Sequence, residues 1–256
     1  MSLRLTILGS GTSHGIPMIA CDCAVCTSAD PHDRRTRASA LFSFEGRHLL
    51  VDTSPELRLQ CLACDVRQVD AILYTHAHAD HVAGLDDVRR FNWLQRQALD
   101  VYGAPATLKR IHTMFRYAFE NEPEYPSAKP ELNLVPVSGS FELFGRQVIP
   151  IPYQHGQQTV LGFRIGGIAY CPDCSFIPDE SRELLKGLDV LVLDGLRRRP
   201  HPTHFNLDQA VAEAARIGAR RTYLTHIAHE LPHAATNAEL PPEIRLAYDG
   251  LVCTAD

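Results

Sequence analysis

The sequence predicts an α/β fold in which sheets are covered by helices, and three observations predict it. Short apolar runs of strand length recur along the chain, stretches with helical spacing lie between them, and the runs come first in consecutive groups and later singly between helices. That order argues against the strict βα repetition of a barrel. Leu3 to Leu8 is the first strand-like run and breaks at Gly9. Ala38 to Phe44 and Arg47 to Val51 follow closely, then Asp70 to Thr75, Val148 to Pro152, Leu161 to Ile165, Asp189 to Leu193 and Arg221 to Thr225. Helical spacing is expected over Pro55 to Ala63, Pro105 to Phe119, Asp179 to Lys186 and Asn206 to Ile217. Glu120 to Pro136, with prolines at 123, 126, 130 and 136, reads as a long loop. Residues 92–136 are therefore expected to act as a lid or interface segment within one domain spanning 1–256.

With 256 residues and 45% hydrophobic content, the chain can bury a large core without disulfides. A formal net charge of -5 argues against a protein that lives on nucleic acid or an anionic membrane. The N-terminal run is too short for a signal sequence and no stretch approaches a membrane span, so a cytoplasmic location is expected. Several of the eight cysteines are grouped at metal-ligand spacing, which suits reduced thiols and a cation better than disulfides.

Chemistry concentrates in His76-Ala77-His78-Ala79-Asp80-His81, directly after the apolar run ending at Tyr74 and just before Gly84. In an extended backbone positions 76 and 78 project to the same side and reach one cation, while a turn after 78 swings Asp80 and His81 toward a second. Two cations need more ligands. His155, Asp173 and His226 each stand just past the end of an apolar run and supply them.

With these residues the chain resembles the metallo-β-lactamase superfamily, from "TILGSGTSHGIP" through "THAHADH", His155, Asp173 and "TYLTHIAHE" to "YDG". The resemblance implies a four-layer αβ/βα sandwich. It implies that His76, His78 and His155 hold one metal, Asp80, His81 and His226 the other, with Asp173 bridging through its two oxygens. Cys171 and Cys174 flank Asp173 and depart from that pattern; they read as small buried residues beside the site.

Cys21, Cys23 and Cys26 suit three corners of a Zn²⁺ tetrahedron. For the fourth, His14, Cys61, Cys64, Cys253 and His229 are open on spacing alone. This loop, with Leu224-Thr225-His226-Ile227-Ala228-His229, resembles the phosphoribosyl 1,2-cyclic phosphate phosphodiesterase family of the carbon-phosphorus lyase pathway. That resemblance implies His229 as the fourth ligand of a structural zinc. Cys61 and Cys64 are expected to be core packing on a helix.

A dinuclear site lowers the pKa of a bridging water and clamps phosphodiester oxygens, but supplies no proton to the leaving group. His201 and His204 precede the helix near Asn206, and the family resemblance aligns His204 with the proton donor, so His204 and Asp80 are expected to act in catalysis. Asp52 ends a strand, where it either orients a ligating histidine or caps the next helix. Gly9, Gly11 and Gly15 read as a tight turn. His14 faces the metals or packs beside the cysteine loop. Arg34, Arg35 and Arg37 and the group Arg197, Arg198 and Arg199 read as solvated basic clusters, the second placed to attract an anion.

The expected function is a metal-dependent phosphodiesterase acting on a small cyclic or ribose-linked substrate, with two divalent cations, Mn or Zn, and one structural Zn. A homodimer is compatible with the chain, whereas membrane and nucleic-acid partners are not favoured. The alternatives are a tRNA 3′-processing-type nuclease, a thioester or lactone hydrolase, and a zinc-binding accessory protein, since the cysteine loop also resembles the pyrroloquinoline-quinone accessory proteins.

Overall fold

The computed structural model describes residues 3–120 and 128–255. In chain order the strands and helices are β1 (Leu3–Gly9), β2 (Ser39–Phe44), β3 (Arg47–Val51), α1 (Leu57–Ala63), β4 (Ala71–Tyr74), α2 (Ala79–Val82), α3 (Arg89–Gln95), β5 (Leu99–Gly103), α4 (Pro105–Met114), α5 (Arg116–Phe119) and β6 (Leu132–Pro136). The second half adds β7 (Phe141–Leu143), β8 (Arg146–His155), β9 (Gln158–Ile165), β10 (Ile168–Cys171), α6 (Asp179–Leu184), β11 (Val190–Asp194), α7 (Leu207–Ile217), β12 (Arg221–Thr225), α8 (His233–Glu239), β13 (Ile244–Leu246) and β14 (Val252–Ala255).

Two seven-stranded mixed sheets result, ordered β14-β1-β2-β3-β4-β5-β6 and β13-β12-β11-β10-β9-β8-β7. Period-two alternation explains why they stack. Ala40, Phe42 and Phe44 of β2 point into the apolar layer between the sheets with Phe163, Tyr170 and Val192, while Leu41 faces the helices of the first half. On β11, Val190 and Val192 face the first sheet, and Leu191 and Leu193 face α7 through Ala210, Ala214 and Ile217. Strands buried on both faces are apolar throughout, as parallel strands under helices must be. Helix, sheet, sheet and helix make the four-layer αβ/βα sandwich. Asn206 caps α7 by accepting from Gln209 N–H, and Gly218 closes it in the left-handed region.

The sequence expectations differ from this in the middle. Leu132–Pro136 is not loop but the outermost strand of the first sheet, pairing in parallel with β5. Its prolines do not prevent this: Pro136 ends an edge strand, where one missing N–H costs no ladder bond. Residues 92–136, expected to act as a lid or interface segment, supply β5, α4, α5 and β6 to the sandwich; the stretch 121–127 of the expected loop lies outside the described residues. The single helix expected over Pro105 to Phe119 divides at Phe115.

Candidate metal centre and catalytic cavity

Strands of both sheets end at one edge of the sandwich, and the titratable groups stand there. Asp52 follows β3, His76 follows β4 by one residue, His155 ends β8, Asp173 follows β10, Asp194 ends β11 and His226 follows β12. His78 caps α2 with an extended backbone, and Asp80 and His81 lie within that helix. Gly84 allows the turn to close: a Cβ there would stand 2.0 Å from the Ser54 carbonyl oxygen. Asp52, Asp173 and His226 hold left-handed backbone, with φ of 61°, 50° and 59°, which costs energy for a side-chain-bearing residue and recurs at functional sites.

The structure brings the seven histidine and aspartate ligands implied by sequence into two overlapping groups. His76, His78, His155 and Asp173 form one and Asp80, His81, Asp173 and His226 the other, with ligand atoms inside each group no more than 4.8 Å apart. Asp173 belongs to both. Its Oδ1 lies 3.1 Å from His81 Nε2 and its Oδ2 3.3 Å from His226 Nε2. Oδ2 is also 3.9 Å from the Nε2 of both His76 and His155.

These residues fit divalent cations. Asp52 Oδ2 lies 2.7 Å from His81 Nδ1, and Asp52 is fixed in turn by the Thr75 amide at 2.9 Å and hydroxyl at 2.8 Å. With its proton on Nδ1, His81 aims an Nε2 lone pair at a carboxylate oxygen, and both atoms are buried without a hydrogen bond. Two facing lone pairs at 3.1 Å require a positive charge between or beside them. Burial lowers the basicity of His76, far below the usual imidazole range, and of His78 and His155 more modestly, leaving rings ready to ligate. At His81 burial also opposes charge, but Asp173, Asp52 and Asp80 outweigh it and draw a proton onto the ring. Burial likewise opposes ionisation of Asp80 and Asp173, yet the surrounding imidazoles hold both well below the carboxylate range. Carboxylates that pull a proton onto a ring are satisfied as well by a cation, which releases it.

His204 stands on the rim. Its ring stacks on His226 at 4.7 Å and meets His155 edge-on at 4.6 Å, and Asp194 Oδ2 lies 2.9 Å from its Nδ1. Asp194 is itself held by the Cys174 amide at 2.9 Å and the Phe205 amide at 3.3 Å. Burial works against protonating His204, but the Asp194 carboxylate outweighs it, so His204 keeps its proton to higher pH than a free imidazole. Beyond it opens a cavity of about 260 Å³ whose polar lining includes His14, Arg197, Arg199, His201 and Glu230.

The second constellation meets that cavity through His229. His229 Nδ1 lies 3.2, 3.3 and 3.7 Å from the sulfurs of Cys21, Cys23 and Cys26. For Zn–S near 2.3 Å and Zn–N near 2.05 Å, a tetrahedral N–S edge is about 3.5 Å, so the three nitrogen–sulfur distances match zinc-site spacing, and all four atoms lie within 4.8 Å of one another. Spacing left the fourth ligand open, and the structure brings His229 to the thiols; Cys61, Cys64 and Cys253 pack in apolar layers instead. Cys171 and Cys174 are free, fully buried and packed in the second sheet's helical layer.

Other expectations resolve as follows. Asp52 orients His81, while the α1 cap position falls to Glu56. His14 lines the cavity between the two clusters rather than joining either group. Arg35 is not a solvated loop residue. It is 1% exposed and donates to Asp33, His32 O, Ala228 O and Leu231 O, clamping the segment that carries both His226 and His229. Sequence reasoning missed Asp194, although "VLVLD" places it at a strand end like His155, and missed Thr203, whose carbonyl lies 2.7 Å from His155 Nδ1.

Residues 47–227 match the family described as the beta-lactamase superfamily domain. The chain is 39% identical over 259 residues to an octanoyltransferase of Porphyromonas gingivalis, matching 99% of this chain but 52% of that protein, so it spans about half of that relative. It is 30% identical over 218 residues to coenzyme PQQ synthesis protein B of Methylobacterium nodulans, covering 75% of this chain and 73% of that one. The crystal structure of a new diphosphatase from the PhnP family superposes with a TM-score of 0.93 at 45% identity, covering 100% of this chain and 98% of the other. Zinc-bound PqqB from Methylobacterium extorquens, at 22% identity, covers 98% of this chain and 99% of its own and shares the fold with a TM-score of 0.75. The matched span runs from β3 past His226 and takes in both histidine–carboxylate groups, while Cys21, Cys23, Cys26 and His229 lie outside it. The chain belongs to the metallo-β-lactamase superfamily, and within it resembles the PhnP family.

Proposed function

We propose that the chain is a metal-dependent hydrolase that cleaves a phosphoryl bond in a small substrate, a cyclic or ribose-linked phosphodiester or a diphosphate. The observation that carries this reading is the cavity beyond His204. At about 260 Å³ it is smaller than a pocket for a drug-sized ligand, and beside Met18, Leu196 and Ala228 its wall carries guanidinium, imidazole and hydroxyl groups suited to phosphoryl oxygens. The similarity to a PhnP-family diphosphatase supports phosphoryl chemistry.

His76, His78 and His155 would hold one divalent cation and Asp80, His81 and His226 the other, with Asp173 between them. Bound there, two cations of the Mn or Zn type supply an acidified water and charge neutralisation for phosphoryl oxygens. The protein's own groups do the rest. Asp52 keeps His81 Nε2 turned inward, and Thr203 O does the same for His155 Nε2. Asp194 fixes the ring of His204 with Nδ1 occupied, so the proton available to a leaving oxygen is the one on Nε2. Cys21, Cys23, Cys26 and His229 would close around a structural zinc that leaves no position for substrate.

A thioester hydrolase is the second reading, favoured by 39% identity over about half the length of an octanoyltransferase. One panel separates the two: bis(4-nitrophenyl) phosphate, a cyclic phosphate, a diphosphate ester, octanoyl thioester and short RNA, each with added Mn²⁺ or Zn²⁺. Turnover of the phosphoryl compounds alone supports the proposal, and turnover of the thioester alone overturns it.

A further inference from the structure

The turn between β8 and β9 touches two parts of the catalytic apparatus at once. His155 ends β8 and pairs with Gln158 of β9, which leaves Gly156 and Gln157 to make the turn. Gly156 takes the first place with φ of 62°, where glycine is preferred. A second need for glycine comes from outside the hairpin. A Cβ on residue 156 would stand 2.7 Å from Thr203 Cγ2, well inside van der Waals contact, and 3.5 Å from Thr203 Cβ. Thr203 therefore rests on the bare backbone of the turn.

That resting place sets chemistry on both sides. The Thr203 carbonyl lies 2.7 Å from His155 Nδ1 and keeps Nε2 of that ring turned toward Asp173. The next residue is His204, whose ring meets that of His155 at 4.6 Å. One dipeptide thus orients a ligand of one cation and carries the proposed proton donor. The two sides of the contact differ in firmness. Ser175 anchors the turn: its Oγ accepts from the Gly156 amide at 2.9 Å and donates to Gln154 O at 3.1 Å, and its amide donates to the same carbonyl at 2.7 Å. Thr203 lies in a loop, where its amide and hydroxyl meet His201 Nδ1 of the same loop at 3.3 and 3.2 Å. A side chain at 156 would accordingly displace the loop, and not the turn.

We infer that Gly156 is a positioning residue that couples the His155 cation to the proton donor by seating Thr203, an inference that rests on the proposed hydrolase with His204 as its donor. Moving Thr203 off its seat turns His155 and carries His204 away from the leaving oxygen together.

The test is a cycle of variants, Gly156→Ala, Thr203→Ser and the two combined, with Gly187→Ala as control. Serine keeps the hydroxyl and the carbonyl but removes Cγ2, so the remaining contact is the ordinary one of 3.5 Å to Cβ. Gly187 has φ of 69° and open space where a Cβ would stand, so its variant carries the backbone strain without the collision. Against a competing chelator, Gly156→Ala should hold one of the two catalytic cations about 10- to 100-fold more weakly, as loss of a ligand-orienting partner does. With Mn²⁺ saturating, kcat should fall about 10²-fold on an alkyl phosphodiester, the scale of a misplacement of roughly 1 Å, and much less on bis(4-nitrophenyl) phosphate. On the Thr203→Ser background both losses should shrink to about a few-fold, whereas Gly187→Ala should lower Tm and move neither readout. Equal losses on the two backgrounds, or a Gly187→Ala that reproduces them, overturn the inference. If Gly156→Ala does not fold, the double variant decides: recovery of a cooperative melting transition upholds the seat, and its absence rejects it. If no phosphoryl compound is turned over, the reading of the reaction has failed, and the chelator competition alone judges the seat.

Discussion

The chain carries two clusters of side chains that could hold metal, linked by the short segment from His226 to His229, and they are built on opposite plans. The histidine–carboxylate cluster is assembled from the ends of strands in both sheets, uses nitrogen and oxygen donors, and opens onto a cavity. The cysteine cluster draws three thiols from one short loop and one imidazole from the β12–α8 turn, with its donors closed around a single point. Hard, open sites on rigid strand ends suit catalysis, whereas soft, closed sites on loops suit stapling. The two meet at His226 and His229, three residues apart, on a segment pinned by Arg35.

Asp173→Ala attacks the open cluster at its shared member and should have the largest effect: hydrolysis falls to background and both catalytic cations are lost, read by elemental analysis and rate together. Loss of one cation with the other intact would mean that the two groups do not share a ligand. Cys23→Ser attacks the closed cluster. It should release one zinc and lower Tm by on the order of 10 °C, since a structural zinc contributes several kcal/mol to folding. The catalytic pair should remain; an unchanged melting curve with three cations retained contradicts the division of roles.

His204→Ala sharpens the comparison within the open site. It should keep all metals, lose about 10²-fold in kcat on an alkyl or ribose-linked ester, and lose much less on a nitrophenyl ester that departs without a proton. Equal losses would assign His204 to holding phosphate instead. Asp52→Asn should weaken binding at the His81 cation about 10- to 100-fold, as removal of a ligand-orienting carboxylate does; titration with Mn²⁺ reads it. The smallest effect lies at His233, which stacks on His32 at 4.7 Å. Burial, then His32 and Arg35, hold His233 down to about 4, so its folded form resists protonation. Stability should be intact above about pH 6.5 and decline toward pH 4, and His233→Gln should flatten that decline in Tm.

Much of the open site was legible because strand ends leave a mark in sequence: an apolar run with a His or Asp within two residues of its end. His76, His155, Asp173 and His226 all obey it, and so does Asp194, which was overlooked only because one carboxylate after "VLVL" looks like any turn residue. The cysteine loop was legible as three ligands, while His229 needed the family resemblance, because over 200 residues separate it from Cys26. What stayed hidden was burial and pairing. Nothing in "RRTR" distinguishes a buried clamp such as Arg35 from its solvated neighbour Arg34, and nothing in "RRR" tells that Arg197 and Arg199 share Glu230 while Arg198 pairs with Glu239. The fold was misjudged at β6, where proline signals outweighed an apolar Leu-Asn-Leu-Val pattern that the edge of a parallel sheet accepts.

The central claim, two catalytic cations and one structural, is tested most directly by counting metal through a chelator titration while following hydrolysis of bis(4-nitrophenyl) phosphate. The account predicts three cations per chain, the first two lost together with activity and restored by Mn²⁺, the third retained until the protein unfolds. A single cation per chain, or hydrolysis that persists after the first two are gone, would contradict it.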